Sequence, residues 1–336
     1  MRKRGALILL LVSIFQLCNA QTEWDTTYFK SAKNNLNLGF VISERSYQID
    51  IAGTGVNAKA SAFKYNANAP EAIGFLVDNK KISLQVLFRL KPKDDPKKGI
   101  SQFSNLALSL GGRNIVFEGG YRFFKGFYDE TSGNYLPDYT DSTPYFRQPT
   151  LSANYIKVKS YFFLNRQRFS YKATYSAGYR QLKSASSMVL TANFLSERLV
   201  SDSALIPVFL DDQYQTGENI RGVSHFGFGT GAGYSGTLVF FKRFFANLTL
   251  VPSIHLQRRS YYMTNTHPSS GSYITLLLDS RASIGYSGEK LFFIFSGTND
   301  RHWNNGRDLK IQPSFVSATF TMGYRISMEK KSAVKK

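Results

Sequence analysis

Apolar residues recur at every second position along several stretches of this chain. From Ile82 to Leu90 the apolar set is Ile82, Leu84, Val86, Phe88 and Leu90, set against Ser83, Gln85 and Arg89, with Leu87 the exception. Ala246, Leu248, Leu250, Ile254 and Leu256 alternate with Asn247, Thr249, Ser253, His255 and Gln257. Ile274 to Tyr286 interleaves with Thr275, Asp279, Arg281 and Ser283, and Val316 to Ile326 with Ser317, Thr319, Thr321 and Arg325. Arg168 to Arg180 follows the same rule, with Phe169, Tyr171, Ala173, Tyr175, Ala177 and Tyr179 forming one set. Period two predicts strands with one apolar and one polar face. The runs are nine to thirteen residues long. Strands of a soluble sandwich are about 5–6 residues, whereas ~9–11 are needed to cross a bilayer at a tilt.

The connections sort into two kinds. Asn79-Lys80-Lys81, Gly111-Gly112-Arg113, Asn165-Arg166-Gln167, Lys242-Arg243 and Ser287-Gly288-Glu289-Lys290 read as tight turns, and 130–149, 199–221, 259–271 and 298–311 as long polar loops. Short turns on the periplasmic side and long loops outside are the pattern of a bacterial membrane barrel. Aromatic residues gather at strand ends, as in Phe240, Phe241, Phe244 and Phe245, where headgroups would begin. The expected fold is therefore all-β, a transmembrane antiparallel β-barrel of about 12 strands, with 10–14 compatible. One region breaks the alternation of turns and loops: only one strand fits between 164–167 and 199–221, yet 168–180 and 186–198 are both apolar segments. Either Ser187 to Val200 is a short amphipathic helix, since Met188, Ala192, Leu195 and Leu199 recur at helical spacing, or 199–221 lies on the periplasmic side.

Residues 1–20 read as a secretory leader: Arg2, Lys3 and Arg4, then an apolar core from Ala6 to Phe15, then Cys18-Asn19-Ala20 before Gln21. Leu17 before Cys18 disfavours lipidation. The expected organisation is a signal peptide (1–20), a short periplasmic segment (21–34), the barrel (35–327) and a basic C-terminal tail (328–336). Composition then fits the compartment. The 28 Phe and 20 Tyr are too many for a disordered chain, and they need not share one soluble core if many face lipid. Losing three basic residues with the leader lowers the formal charge from +19 to +16, and export turns that charge away from nucleic acid. The single Cys lies in the leader, so no disulfide or thiolate chemistry is expected after cleavage.

Short elements spread over the chain carry a resemblance: Asp25-Thr26-Thr27-Tyr28, Phe124-Lys125-Gly126-Phe127-Tyr128, Arg168-Phe169-Ser170-Tyr171-Lys172-Ala173, Gln181-Leu182-Lys183-Ser184-Ala185, Ser203-Ala204-Leu205-Ile206-Pro207 and Gly233-Tyr234. In their order and spacing the chain resembles the uncharacterised Bacteroidota family of domain of unknown function 4421, whose members look like outer-membrane barrels. The resemblance implies a compartment, the cell outer membrane, and a fold, with no activity attached. The end of the chain departs from the usual barrel pattern, because Gly323-Tyr324-Arg325-Ile326 runs into a Lys-rich tail where an aromatic terminus would be read by the assembly machinery.

Candidate chemistry is sparse. His225 and His255 fall on polar strand faces, His267 and His302 in the expected outer loops. His255 with Ser253 on one face, or His225 with Ser224, could serve an outer-membrane lipid hydrolase, though no nucleophile elbow accompanies them. The favoured expectation is a non-catalytic channel, envelope or lipid-interaction protein without cofactor. No spacing matches a zinc or calcium loop, and Asp211-Asp212 reads as loop solvation, so no metal site is expected. Gly227, Gly229, Gly231 and Gly233 lie in a strand with no helix after them, which suits close packing inside the barrel rather than a phosphate loop. Arg89, Lys157, Lys159, Lys172, Arg281 and Arg325 fall on polar faces and are expected to line the lumen, either as a ladder of ion pairs that fills it or as an anion-preferring wall. Arg258, Arg259 and Arg301 are expected at loop bases, where they could hold lipopolysaccharide phosphates. Expected partners are thus outer-membrane lipid, lipopolysaccharide and the barrel assembly machinery.

Overall fold

A computed structural model describes residues 24–31, 35–53, 62–68, 71–90, 95–112, 114–207, 219–264, 269–303 and 309–328. The expected leader, most of the C-terminal tail, Asp211, Asp212 and His267 lie outside these residues. Fifteen strands follow in order: β1 (Phe29–Ser31), β2 (Asn35–Gly53), β3 (Phe63–Asn66), β4 (Glu71–Asp78), β5 (Ile82–Arg89), β6 (Gln102–Gly111), β7 (Ile115–Asp129), β8 (Arg147–Phe163), β9 (Tyr179–Gln181), β10 (Ala185–Val200), β11 (Ile220–Phe240), β12 (Phe244–Met263), β13 (Ser269–Ser287), β14 (Leu291–Trp303) and β15 (Leu309–Ser327). One helical turn, α1 (Lys172–Tyr175), lies between β8 and β9.

Strand pairing closes on itself. β2 pairs with β4, then the ring proceeds through β5, β6, β7, β8 and β10 to β15, which pairs back along β2 from Leu309↔Gly53 to Ser327↔Asn35. Twelve strands make this circuit, each antiparallel to both neighbours. β3 stands beside it, joining Gln48–Ile51 of β2 to Tyr128 and Asp129 of β7 above the short strands β4 to β6. Where β7 passes this region its register with β8 shifts between Lys125 and Phe127. Gly126 there has φ +85, and a Cβ would stand 2.6 Å from the Ile100 carbonyl oxygen, so the bulge requires glycine.

The alternation expected from sequence appears with its apolar set outward and its polar set within. Phe75, Phe88, Phe117, Phe228, Leu256, Ile274 and Phe295 all face outward and exposed, while Ser83, Asn193, Thr249, Ser253 and Thr275 are buried within. A closed sheet satisfies every ladder hydrogen bond internally, which is what allows strands to sit in hydrocarbon. The outward apolar belt then transfers into lipid rather than a core. At the tight-turn end, Phe240, Phe241, Phe244, Tyr286 and Phe293 form a chain of ring contacts with centroids 5.3 to 6.5 Å apart, an aromatic girdle in the interfacial position.

Residues 164–184 overturn one expectation. Arg168–Arg180 is not one strand, only its last two residues being extended, in β9, and Ser187–Val200 is not a helix but part of β10, so the connection from β10 to β11 stays at the loop end. The 168–180 segment folds into the lumen as a plug. Phe169, Ser170, Tyr171, Lys172, Ala173 and Thr174 are consecutive and all buried, so this stretch has no solvent face. Its rings stack on the wall: Tyr171 on Tyr161 at 5.1 Å and on Phe163 at 5.2 Å, and Phe169 on Phe163 at 5.5 Å. Each such pair contributes about 0.5–1.5 kcal/mol beyond area burial. Across the lumen Ala177 packs among Val41, Leu76, Phe245 and Phe292. From below, β1 pairs with β9, and the Lys183 and Leu182 amides donate to the Tyr28 carbonyl. The Asp25-Thr26-Thr27-Tyr28 element makes that cover turn. The Thr27 hydroxyl and then its amide donate to the Asp25 carboxylate at 2.6 and 2.9 Å and hold it below its usual range.

The loop end carries a second seal. Leu205 and Ile206 fold inward and join Tyr47, Ile49, Phe63, Phe124, Leu151 and others in an apolar layer. The Tyr65 hydroxyl donates to the Leu205 carbonyl at 2.6 Å, and Gln148 donates to the Ala204 carbonyl at 3.0 Å, fixing that inward turn.

Candidate functional site

Between the two seals the polar faces of the strands meet. Asp279 on β13 accepts from Lys159 Nζ at 2.6 Å, Arg281 Nε at 3.0 Å, Tyr161 Oη at 3.2 Å and Lys157 Nζ at 3.5 Å. Lys157 also donates to Asp300 on β14 at 2.9 Å, and Arg122 reaches the same carboxylate at 3.5 Å. Arg281 donates to Glu118 on β7 at 2.7 Å and to the Tyr171 hydroxyl at 2.7 Å, while Tyr171 donates to Glu118 at 3.1 Å. Four wall strands are therefore tied across the lumen and to the plug. Beside this network lies a cavity of about 220 Å³, lined by Arg45, Arg122, Lys157, Lys159 and Arg281 together with Glu118 and Asp300.

A second cluster sits nearer the loop end. Glu197 on β10 and His225 on β11 are direct cross-strand partners, so antiparallel register puts both on the inner face. His302 reaches them from β14 across the lumen. One ligating atom from each of the three lies within 4.8 Å of the others, and the side chains are 3%, 4% and 5% exposed. The Tyr47 hydroxyl donates to Glu197 Oε1.

The lumen-facing expectation divides by residue. Lys157, Lys159 and Arg281 belong to the ion network. Arg325 faces inward and donates to the Ser287 hydroxyl at 3.0 Å and the Ala177 carbonyl at 3.4 Å, holding the plug. Lys172 is no wall residue; it is buried in α1 and donates to the Gly111 carbonyl at 3.4 Å. Arg89 faces inward on β5, with Nε and Nη2 lacking hydrogen-bond partners among the described residues. The lipopolysaccharide trio separates as well. Arg258 and Arg301 face outward and exposed, but Arg259 is 2% exposed, with its guanidinium 4.5 Å from the Tyr273 ring centre. His302 was expected in a loop and lies instead on β14, because the strands run on past the expected loop boundaries. Ser253 and His255 do meet, with Oγ and Nε2 3.2 Å apart, but Ser253 also donates to the Leu277 carbonyl at 3.3 Å and His255 Nδ1 has no hydrogen-bond partner among the described residues. A serine hydrolase needs a group that orients that second nitrogen. Gly229 stands opposite His255 because an added Cβ would fall 2.4 Å from the imidazole, which accounts for one of the strand glycines.

A twelve-membered closed antiparallel ring, apolar outside and polar within, defines a transmembrane β-barrel, the architecture of outer-membrane proteins. The model of the family described as domain of unknown function 4421 matches residues 23–326, and the chain belongs to that family. No curated protein matches it. Among solved structures it is similar to the outer membrane protease OmpT of Escherichia coli (9% identity, 88% of this chain and 98% of that one, TM-score 0.39). It is also similar to the translocator domain of the autotransporter NalP of Neisseria meningitidis (9%, 97% and 98%, 0.32) and to the Pseudomonas putida toluene transporter TodX (7%, 87% and 89%, 0.27).

Proposed function

We propose that the protein is a non-catalytic outer-membrane barrel whose lumen is closed at rest, exported by the 1–20 leader and inserted by the barrel assembly machinery. The observation that carries this reading is the use made of the lumen charges: Arg281 and Glu118 both bond to Tyr171 of the plug. Charges that hold a plug do not line a water path, so the ladder of ion pairs is favoured over an open anion channel. Outward-facing Arg258 and Arg301 are then the residues available for lipopolysaccharide phosphate, whereas Arg259 serves the interior. Purified protein in planar bilayers is expected to give no steady conductance; stable single-channel steps from the unaltered chain would overturn the closed-lumen reading.

The Ser253–His255 contact supports a second reading, a lipid hydrolase. Without a group on Nδ1 among the described residues, the expected result is no fatty-acid release from phospholipid or lipopolysaccharide vesicles above the protein-free rate. Release that disappears in His255→Ala would install the hydrolase in its place.

A further inference from the structure

We propose that Glu197, His225 and His302 form a binding site for a divalent transition metal of the zinc class, enclosed inside the barrel. The donor set is two imidazole nitrogens and one carboxylate oxygen, which suits borderline cations such as Zn²⁺ and disfavours calcium and magnesium. Each residue offers an atom within 4.8 Å of the other two. Ligands of a tetrahedral ion at ~2.0–2.1 Å stand about 3.3 Å from one another, so closure needs side-chain rotations of about an ångström.

Two further observations point to a cation. Glu197 Oε2 and His225 Nε2 are 3.1 Å apart, yet neither has a hydrogen-bond partner among the described residues, and both belong to side chains more than nine-tenths buried. Two buried polar atoms left side by side without hydrogen bonds are costly unless a ligand satisfies them. The other carboxylate oxygen is occupied by the Tyr47 hydroxyl, which fixes the plane of Glu197 and leaves Oε2 as the coordinating atom. Glu197 and His225, though not His302, also line a cavity of about 10 Å³, room for about one water. The alternative is a simple buried histidine–carboxylate pair, with His302 a bystander.

Refolding the mature chain in detergent with Zn²⁺ or Co²⁺ loads the lumen before it closes, so access does not limit the result. After desalting, one metal per chain is expected by mass spectrometry, and the cobalt form should show the intense visible absorption of a four-coordinate nitrogen–oxygen site. Glu197→Gln and His225→Ala should each lose the bound metal and the absorption, while Tyr47→Phe should weaken binding about 10–100-fold. His255→Ala and His267→Ala should retain both. Heat-modifiable gel mobility checks that each variant is folded, and the native chain's stoichiometry and spectrum stand even if one variant is not. Substoichiometric metal in the folded native chain, or full retention in Glu197→Gln with His225→Ala, would overturn the site.

Discussion

A barrel lacking both seals is expected to conduct, and one lacking either seal alone is expected to stay nearly silent. Excising residues 168–183 with a short Gly-Ser bridge removes the plug, and Leu205→Gly with Ile206→Gly removes the inward turn at the loop end. The two closures lie in series along one lumen, and the larger resistance governs the current, so their effects should combine far beyond additivity. The opened pore should favour anions. Arg45, Arg122, Lys157, Lys159 and Arg281 line its central cavity against Glu118 and Asp300, five cations to two carboxylates. Reversal potentials across a KCl gradient read this directly. Conductance in either single removal as large as in the double one would contradict two independent seals, and cation preference would contradict the basic lining.

Asp279→Ala is expected to be the most destabilising single substitution in the lumen. Its carboxylate is fully buried and accepts from Lys157, Lys159, Arg281 and Tyr161, so removal leaves Lys159 with no carboxylate within ion-pair distance among the described residues. Breaking a buried pair from one side costs about 3–5 kcal/mol, and replacing both partners by apolar groups of similar size is often close to neutral. Asp279→Leu with Lys159→Met should therefore recover most of the loss, since Lys157 keeps Asp300 and Arg281 keeps Glu118. Urea unfolding followed by tryptophan fluorescence and gel mobility measures both. A loss under about 1 kcal/mol for Asp279→Ala, or no recovery in the double variant, would show that the network is not held by this carboxylate.

Much of the ring was legible in the chain because alternation with a lipid-facing set is a local signal. Leu248 and Thr249 differ in polarity because they differ in solvent, whatever strand lies next to them. The same local signal misplaces the plug. Phe169, Tyr171 and Ala173 alternate with polar residues just as a strand's do, but Ser170, Lys172 and Thr174 are buried too, and burial on all sides leaves no trace in sequence. The only sign was arithmetic: one strand too many between the turn at 164–167 and the loop at 199–221. Lys157 and Arg281 are legible as inward cations and Asp279 as a residue of the same polar face, whereas nothing in the chain marks Glu118 and Asp300 as their partners. The Glu197, His225 and His302 cluster was invisible, since cross-strand register and a chord across the lumen bring together residues that no spacing relates. His302 was further hidden by placing the end of its strand too early.

The seam between β2 and β15 sets the order in which this molecule can be made. Ser43 bonds to the Ala318 carbonyl, 275 residues away, so the contact that closes the wall waits for the last strand of the chain. Contacts of such separation form slowly. The segment 168–180 belongs to the middle of the sequence, and once the wall is shut its bulky rings have no lateral way in. Lateral seating of the contents is thus open only while the cylinder is still a trough; after the final zip they are reached along the barrel axis alone.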